Sequence, residues 1–202
     1  MISMIKKVLI ISFVVMTSSC TSIDLGYVDL VRDRFKKNLI NDQDAFNSTK
    51  YSFIRATKGG NQAIFILSNY DKGIETWVGA GQETIVTYKG FILSTTKLEK
   101  NIKYHNLIKP LSSIASEKFS SFLSLKDPRA DYLMADFQIL NHEVSPNFDQ
   151  KCNGELNAYS RSINALRYKD LIYVCTFLER TKFSLQKPHP HDKEIFIEFF
   201  YR

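Results

Sequence analysis

Short apolar segments interrupted by polar positions dominate the chain between residues 51 and 98. Each segment is rich in β-branched and aromatic residues, and turn-forming residues separate it from the next. This spacing is typical of antiparallel strands with short connections. The predicted strands are YSFIRAT, QAIFILSNY, IETWVGA, ETIVTYK and FILSTTKL. Between the last two, Lys89-Gly90 fits a tight hairpin in which the glycine supplies a positive φ angle.

Helical and strand patterns both occur outside this meander. Apolar residues at helical spacing predict an amphipathic helix at residues 26–40 and a second helix within residues 109–124. The stripe of the first helix is expected to pack on the domain; the alternative is that it lies on a membrane. Strand patterns return at DYLMADFQIL, near ELNAYSRSINALRY, at DLIYVCTFLE and at EIFIEFFYR. The last strand is apolar on both faces, which predicts that helix or another layer of sheet covers it.

These elements predict an all-β fold with a few helices. An antiparallel meander would form a large curved sheet or a partly open barrel. The composition, 44% hydrophobic and 13% aromatic, excludes a disordered stalk. The formal net charge of +6 is scattered, so we predict no nucleic-acid partner.

The N-terminal stretch MISMIKKVLIISFVVMTSSCTSIDL has the layout of a bacterial export signal. Two lysines precede an apolar run at residues 8–16 that is too short to cross a bilayer as a helix. The small residues before Cys20 resemble a lipobox, so we expect cleavage before Cys20 and acylation of that residue. A soluble secreted protein with an unmodified cysteine is the alternative. Thr21 stands where an inner-membrane retention signal has Asp, which favours the outer membrane, facing the periplasm.

The expected processing divides the chain into three parts. Residues 1–19 are a signal peptide, residues 20–41 form the lipidated N-terminus, tether and amphipathic helix, and residues 42–202 form a single β-rich periplasmic domain. With Cys20 lipidated, an even number of cysteines remains in an oxidising compartment, which predicts a disulfide between Cys152 and Cys175. The alternative is that Cys175, within LIYVCTFL, is a buried free thiol.

The segment TWVGAGQETIVTYKGFILSTTKLEKNI resembles the core motif of the YjbF/GfcB family of exopolysaccharide and capsule lipoproteins. The residues that carry the resemblance are Trp77, Thr87, Gly90, Thr95 or Thr96, and Leu98. Phe91 and Lys97 stand where the family has Arg and Gly. The likeness extends over residues 28–101, with the terminal strand as further support. It implies an all-β, lipid-anchored and non-catalytic protein that works beside polysaccharide export machinery.

Few residues suggest catalysis or metal binding. In PHPHD, residues 188–192, two histidines and a carboxylate could share a divalent metal, but nothing nearby supplies further ligands. An exposed loop before the last strand is the simpler interpretation. Standard hydrolase, metalloprotease and nucleotide-binding motifs are absent from the sequence. Asp131, Asp136 and Glu143 are isolated carboxylates expected at strand edges, so we predict no enzyme, no metal and no cofactor.

Trp77 leaves two interpretations open. An aromatic ring beside small residues can stack on a sugar, whereas the family pattern implies packing at a strand end. We expect an outer-membrane lipoprotein that assists secretion or assembly of an exopolysaccharide or capsule. Its partners would be the membrane, through the lipid anchor, and either export proteins or the glycan. The alternative is a carrier for lipid or acyl chains of the lipoprotein-localisation type, which the 15 phenylalanines keep open.

Overall fold

The computed structural model describes residues 50–112, 117–140 and 151–202. In these ranges, twelve antiparallel strands close into one barrel, which confirms the predicted all-β class and shows the barrel closed. The strands are β1 (Phe53–Lys58), β2 (Asn61–Asp71), β3 (Ile74–Gly79), β4 (Thr84–Tyr88), β5 (Phe91–Thr96), β6 (Asn101–Tyr104), β7 (Lys118–Lys126), β8 (Ala130–Leu140), β9 (Glu155–Ile163), β10 (Tyr168–Phe177), β11 (Arg180–Gln186) and β12 (Ile195–Phe200).

Each strand pairs with its neighbour in sequence, and β12 pairs with β1 to close the barrel. The β4–β5 connection is the predicted hairpin: Tyr88 pairs with Phe91, and only Lys89 and Gly90 lie between them. Their φ angles of 48° and 81° are both left-handed, as a two-residue turn of type I′ requires. Here the local sequence alone predicted the turn correctly.

Helix is scarce in the described residues. It consists of α1 (Ile108–Ser112) and one 3-10 turn (Asn164–Leu166). None of the described helices has the length and apolarity needed to cross a bilayer. The predicted helix at 26–40 and the predicted boundaries at residues 19 and 41 lie outside the described ranges.

The helix predicted within residues 109–124 is wrong beyond Ser112, because residues 118–126 form β7. Phe119 and Phe122 happen to have helical spacing, but in the strand Phe119 points towards the core and Phe122 is exposed. Pairing with β8 satisfies the backbone of this segment and buries Leu123 and Leu125 at alternate positions. Non-local pairing therefore determines its structure.

Aromatic side chains from different parts of the barrel wall meet in its interior. The Phe91 ring on β5 lies 4.8 Å, centroid to centroid, from Tyr159 on β9 and 6.4 Å from Phe137 on β8. The Trp77 ring on β3 lies 5.8 Å from Phe199 on β12. The described strands thus share one hydrophobic core, and their side chains fill the interior of the barrel.

Gln186 on β11 links strands that are not neighbours in the barrel. Its Nε2 donates to the carbonyl oxygen of Gly90 at 2.8 Å, and its Oε1 accepts a hydrogen bond from the backbone N–H of Ile92 at 3.0 Å. This buried amide satisfies one backbone group in the β4–β5 turn and one on β5, and so connects β11 to the β4–β5 hairpin.

The terminal strand β12 packs in the core through its inner face, but the described residues do not include the helix or second sheet layer that the apolar pattern of its outer face predicts. Ile195, Ile197 and Phe199 point into the core. On the outer face, Phe200 stacks on Phe53 with centroids 4.6 Å apart.

Candidate functional site

Two residues of the family-like motif, Trp77 and Thr87, form a buried hydrogen-bond chain with Glu75 inside the barrel. The indole N–H of Trp77 donates to Oγ1 of Thr87 at 2.8 Å, and the Thr87 hydroxyl donates to Oε2 of Glu75 at 2.8 Å. Trp77 is 0% exposed, and Phe199 and Tyr201 contact it edge-on. A fully buried indole offers no face to a sugar ring, so this placement favours packing over ligand contact for Trp77.

Glu75 is the charged end of this chain and is itself buried. Burial raises the pKa of its carboxyl, and hydrogen bonds from Tyr201, Thr87 and Trp77 lower it by less. Burial beside Glu75 likewise raises the pKa of Tyr201. The network connects β3 and β4 to the C-terminal segment after β12. Its donors, Trp77, Thr87 and Tyr201, bond to groups inside the barrel.

Gly90 belongs to the same motif, and both its backbone angle and its surroundings require glycine. Its φ of 81° is left-handed, and a Cβ built on it would lie 2.7 Å from Cγ1 of Val174 and 2.9 Å from Cγ2 of Thr181. The turn therefore needs a residue that tolerates positive φ, and the approach of β10 and β11 leaves no room for a side chain. Trp77, Thr87 and Gly90 therefore each have a packing role in the barrel.

A second buried polar cluster centres on Arg161 of β9, which is 1% exposed. Its guanidinium donates to both carboxylate oxygens of Asp170, at 2.9 and 2.6 Å, and to the Tyr104 hydroxyl at 2.6 Å. It also donates to the carbonyl oxygens of Pro188, at 3.2 Å, and of Lys187. Burial alone would lower the pKa of Arg161, but its contacts with Tyr104 and Asp170 raise it, so the side chain stays charged.

Arg161 anchors the PHPHD segment, which lies in the loop between β11 and β12. The interpretation of this segment as an exposed loop is wrong for its first three residues, because Pro188, His189 and Pro190 are buried. His189 Nδ1 accepts a hydrogen bond from the backbone N–H of His191 at 3.1 Å, and burial lowers the pKa of the His189 ring. In the described ranges, no three His, Cys, Asp or Glu side chains are placed to hold a metal.

The predicted disulfide is confirmed. Cys152, just before β9, is bonded to Cys175 on β10, with the two Cα atoms 5.8 Å apart. The alternative of a buried free thiol at Cys175 is thereby wrong. Cys20, the expected lipidation site, lies outside the described residues.

The isolated carboxylates have ordinary surface partners. Asp131 forms an ion pair with Arg129 at 2.8 Å, and Asp136 accepts a hydrogen bond from the Ser120 hydroxyl at 2.6 Å. Glu143 lies outside the described ranges. Asp131 is exposed near the start of β8, whereas Asp136 is half-buried in the middle of β8 and is paired on both sides, so it is not at a strand edge.

Asp131 nevertheless borders a concave region on the outer surface, which we call the β6–β8 groove. Its volume is about 360 Å³, within the range of roughly 300–1,000 Å³ that is usual for small-ligand sites. The residues that line it come from β5 to β8 and from the β7–β8 turn: Thr95, Asn101, Ile102, Lys103, Ser124, Leu125, Lys126, Arg129 and Asp131. Thr95, Ile102 and Leu125 are buried, and the six that are exposed or half-buried are polar or charged.

Aromatic side chains continue the surface of the groove along β7 and β8. Tyr132 is 69% exposed and stacks on His105, with ring centroids 5.0 Å apart and planes 24° apart. Nε2 of His105 is hydrogen-bonded to Oγ of Ser124, which lines the groove, at 2.9 Å. Beyond them, Phe122 pairs with Met134, and both are exposed.

Sequence reasoning missed both the Arg161 cluster and the groove. Alternation along β9 places Arg161 on the same face as Tyr159 and Ile163, and this signal could have predicted a buried arginine. No comparable signal exists for the groove, because its residues come from several strands whose register the sequence does not reveal.

Comparisons with known proteins support the fold. No family model and no curated protein matches the chain. The chain is similar to the crystal structure of the hypothetical lipoprotein YmcC from Escherichia coli (K12), with a TM-score of 0.66 and 15% sequence identity. The match covers 87% of this chain and 95% of the YmcC chain. At this identity the likeness establishes a shared fold.

Proposed function

We propose that this chain is a lipid-anchored lipoprotein of the outer membrane, facing the periplasm, that assists secretion or assembly of an extracellular polysaccharide without catalysing a reaction. The observation that carries the proposal is the fold, which nearly the whole of a hypothetical lipoprotein shares. The small residues before Cys20 resemble a lipobox, and acylation of Cys20 would supply the lipid anchor.

Two further observations support this proposal. The disulfide between Cys152 and Cys175 suits an oxidising compartment such as the periplasm. The buried ionisable residues Glu75 and Arg161 have structural partners, which supports a role outside catalysis. The polysaccharide is inferred from the resemblance at Trp77, Thr87 and Gly90, all of which have packing roles in this barrel.

The interior of the barrel argues against the carrier alternative. An acyl carrier needs a continuous apolar pocket, but in the described residues the Phe91 ring on β5 contacts the rings of Phe137 on β8 and Tyr159 on β9 inside the barrel. Gln186 on β11 also forms buried hydrogen bonds to Gly90 and Ile92.

A clean deletion of the gene tests the proposal. Surface polysaccharide and the outer-membrane lipoprotein pool are quantified separately in the deletion strain and in a strain complemented with the wild-type chain. We expect reduced surface polysaccharide, a normal lipoprotein pool and full restoration on complementation. Normal polysaccharide with mislocalised lipoproteins would contradict the proposal and favour the carrier.

A further inference from the structure

We propose that the β6–β8 groove binds a segment of an acidic polysaccharide, with lysines contacting its carboxylates and aromatic rings contacting its sugar faces. This inference rests on the proposed function and names the chemistry of the glycan. It combines the charge of the groove, the exposed aromatic rings beside it and the alignment of both along one strand.

The charge of the groove is not balanced by acidic neighbours. Arg129 is paired with Asp131. Lys103 and Lys126 line the same groove, and neither has a carboxylate within ion-pair distance in the described part of the chain. Two exposed ammonium groups beside a cleft attract an anionic ligand, and each can bind a carboxylate as a point charge.

The aromatic surface is held in place by the fold. A bulge between β7 and β8 puts Tyr132 at φ 56°, a left-handed angle that is unusual for a large side chain. The bulge explains this backbone angle, but Gly or Asn would adopt it more easily than Tyr. Stacking on His105 then fixes an exposed ring that has no role in the core.

Both kinds of side chain occur at exposed positions on three neighbouring strands, β6, β7 and β8. Phe122, Ser124 and Lys126 alternate with the core-facing residues of β7, and Lys103 is the register partner of Ser124 on β6. Four residues of strand separate Phe122 from Lys126, or about 13 Å. A site of this length contacts more than one sugar ring, and its two ends provide an aromatic and a charged contact.

Each part of the site excludes a different ligand. A neutral glucan would use the rings but gain nothing from Lys103 and Lys126. An acidic peptide or a free anion would use the lysines but gain nothing from a ring such as Tyr132. Uronic acid residues, which have an apolar ring face and a carboxylate, use both.

Binding measurements with three probes test the inference. The full-length chain, purified in detergent, is titrated with alginate oligosaccharides as the uronate probe, with dextran as the neutral glycan and with polyglutamate as an acidic polymer without sugar rings. We expect alginate to bind most tightly, and its affinity to fall with added salt because exposed charges contribute.

Two double variants remove the two kinds of contact. Lys103→Ser with Lys126→Ser, and Phe122→Ser with Tyr132→Asn, should each weaken alginate binding about tenfold. Asparagine tolerates the left-handed angle of residue 132, so the fold should survive. Thermal unfolding of each variant checks this.

Matched controls alter exposed residues elsewhere. Lys169→Ser with Lys182→Ser removes the same charge, and Tyr70→Ser removes an exposed tyrosine from β2. Both should bind alginate within about twofold of wild type.

Several results would overturn the inference: no binding of alginate, equally tight binding of polyglutamate or dextran, or folded groove variants with wild-type affinity.

Failure of the groove inference can be told apart from failure of the proposed function. If the gene deletion lowers polysaccharide and the groove variants complement it fully, the groove inference fails alone. If alginate binds as expected but the deletion leaves polysaccharide normal, the proposed function fails and the binding chemistry of the groove stands.

Discussion

Replacing Gly90 with alanine should destabilise the barrel more than the same change at another turn glycine. A methyl group at residue 90 would lie 2.7 Å from Cγ1 of Val174 and 2.9 Å from Cγ2 of Thr181, too close for ordinary contact. Gly60 is the matched control. It occupies the same position in the two-residue β1–β2 turn and has a φ of 87°, but no atom lies within 4 Å of the place that its methyl group would take.

The two substitutions separate backbone strain from steric strain. A residue with a Cβ atom loses about 1–2 kcal/mol when its backbone adopts the left-handed conformation. Gly60→Ala should therefore lower the free energy of unfolding by that amount. Gly90→Ala adds the overpacking of a buried site, about 1–3 kcal/mol. Its total effect should therefore be about 2–5 kcal/mol.

Equilibrium urea unfolding of the disulfide-bonded chain measures both effects, provided that the m-value is unchanged. A Val174→Ala substitution in the Gly90→Ala background supplies a further check. It should recover part of the loss, giving a coupling energy of about 0.5–3 kcal/mol between the two sites. Equal destabilisation by Gly60→Ala and Gly90→Ala, or strict additivity with Val174→Ala, would refute the close approach of the hairpin to β10.

Three other predictions concern the disulfide, the buried carboxyl and the anchor. Replacing Cys152 and Cys175 with serine should lower the free energy of unfolding by about 3 kcal/mol, because the bond spans a sequence separation of 23 residues; a urea midpoint equal to wild type would contradict this. Burial raises the pKa of Glu75 above its ordinary 4.5, so its contribution to stability is fully present below pH 4.5 and is lost as the pH rises through the raised pKa. Glu75→Gln should therefore flatten the dependence of Tm on pH above 4.5; parallel Tm profiles would argue against it. Cys20→Ala should release the chain from membranes without changing its circular dichroism, and mass spectrometry of the wild-type N-terminus should find a lipidated Cys20; an unmodified terminus at another residue would refute lipidation.

Most of the strands could be predicted because their pattern is local. Alternating apolar residues and short turns mark β1 to β5, and the Lys89-Gly90 turn specifies its own geometry. The strands β6 and β11 were missed for physical reasons. With four residues, β6 is too short to show a period. The sequence RTKFSLQ of β11 is mostly polar, and since Ser184 and Gln186 occupy buried positions, it lacks the alternation of apolar and polar residues that marks a strand.

The roles of individual residues were harder to predict, since they depend on contacts between distant parts of the chain. The resemblance identifies Trp77 and Thr87 as motif residues, but the hydrogen bond between them and that from Thr87 to Glu75 depend on the register of β3 and β4. The register of β9 and β10 likewise places Asp170 opposite Arg161. The sequence shows which side chains are present, but not the strand register that brings them into contact.

The positions of the motif and of the groove explain why a family resemblance can predict a fold better than a ligand. Trp77, Thr87 and Gly90 lie in the core, where a change of volume or hydrogen bonding would disturb packing. Lys103 and Tyr132 are exposed, and substitutions there should change stability by little. Two chains could therefore share this motif and this barrel while their outer surfaces bind different glycans. Ligand specificity in this fold is consequently to be tested at the outer positions of β6 to β8, with the motif residues left intact.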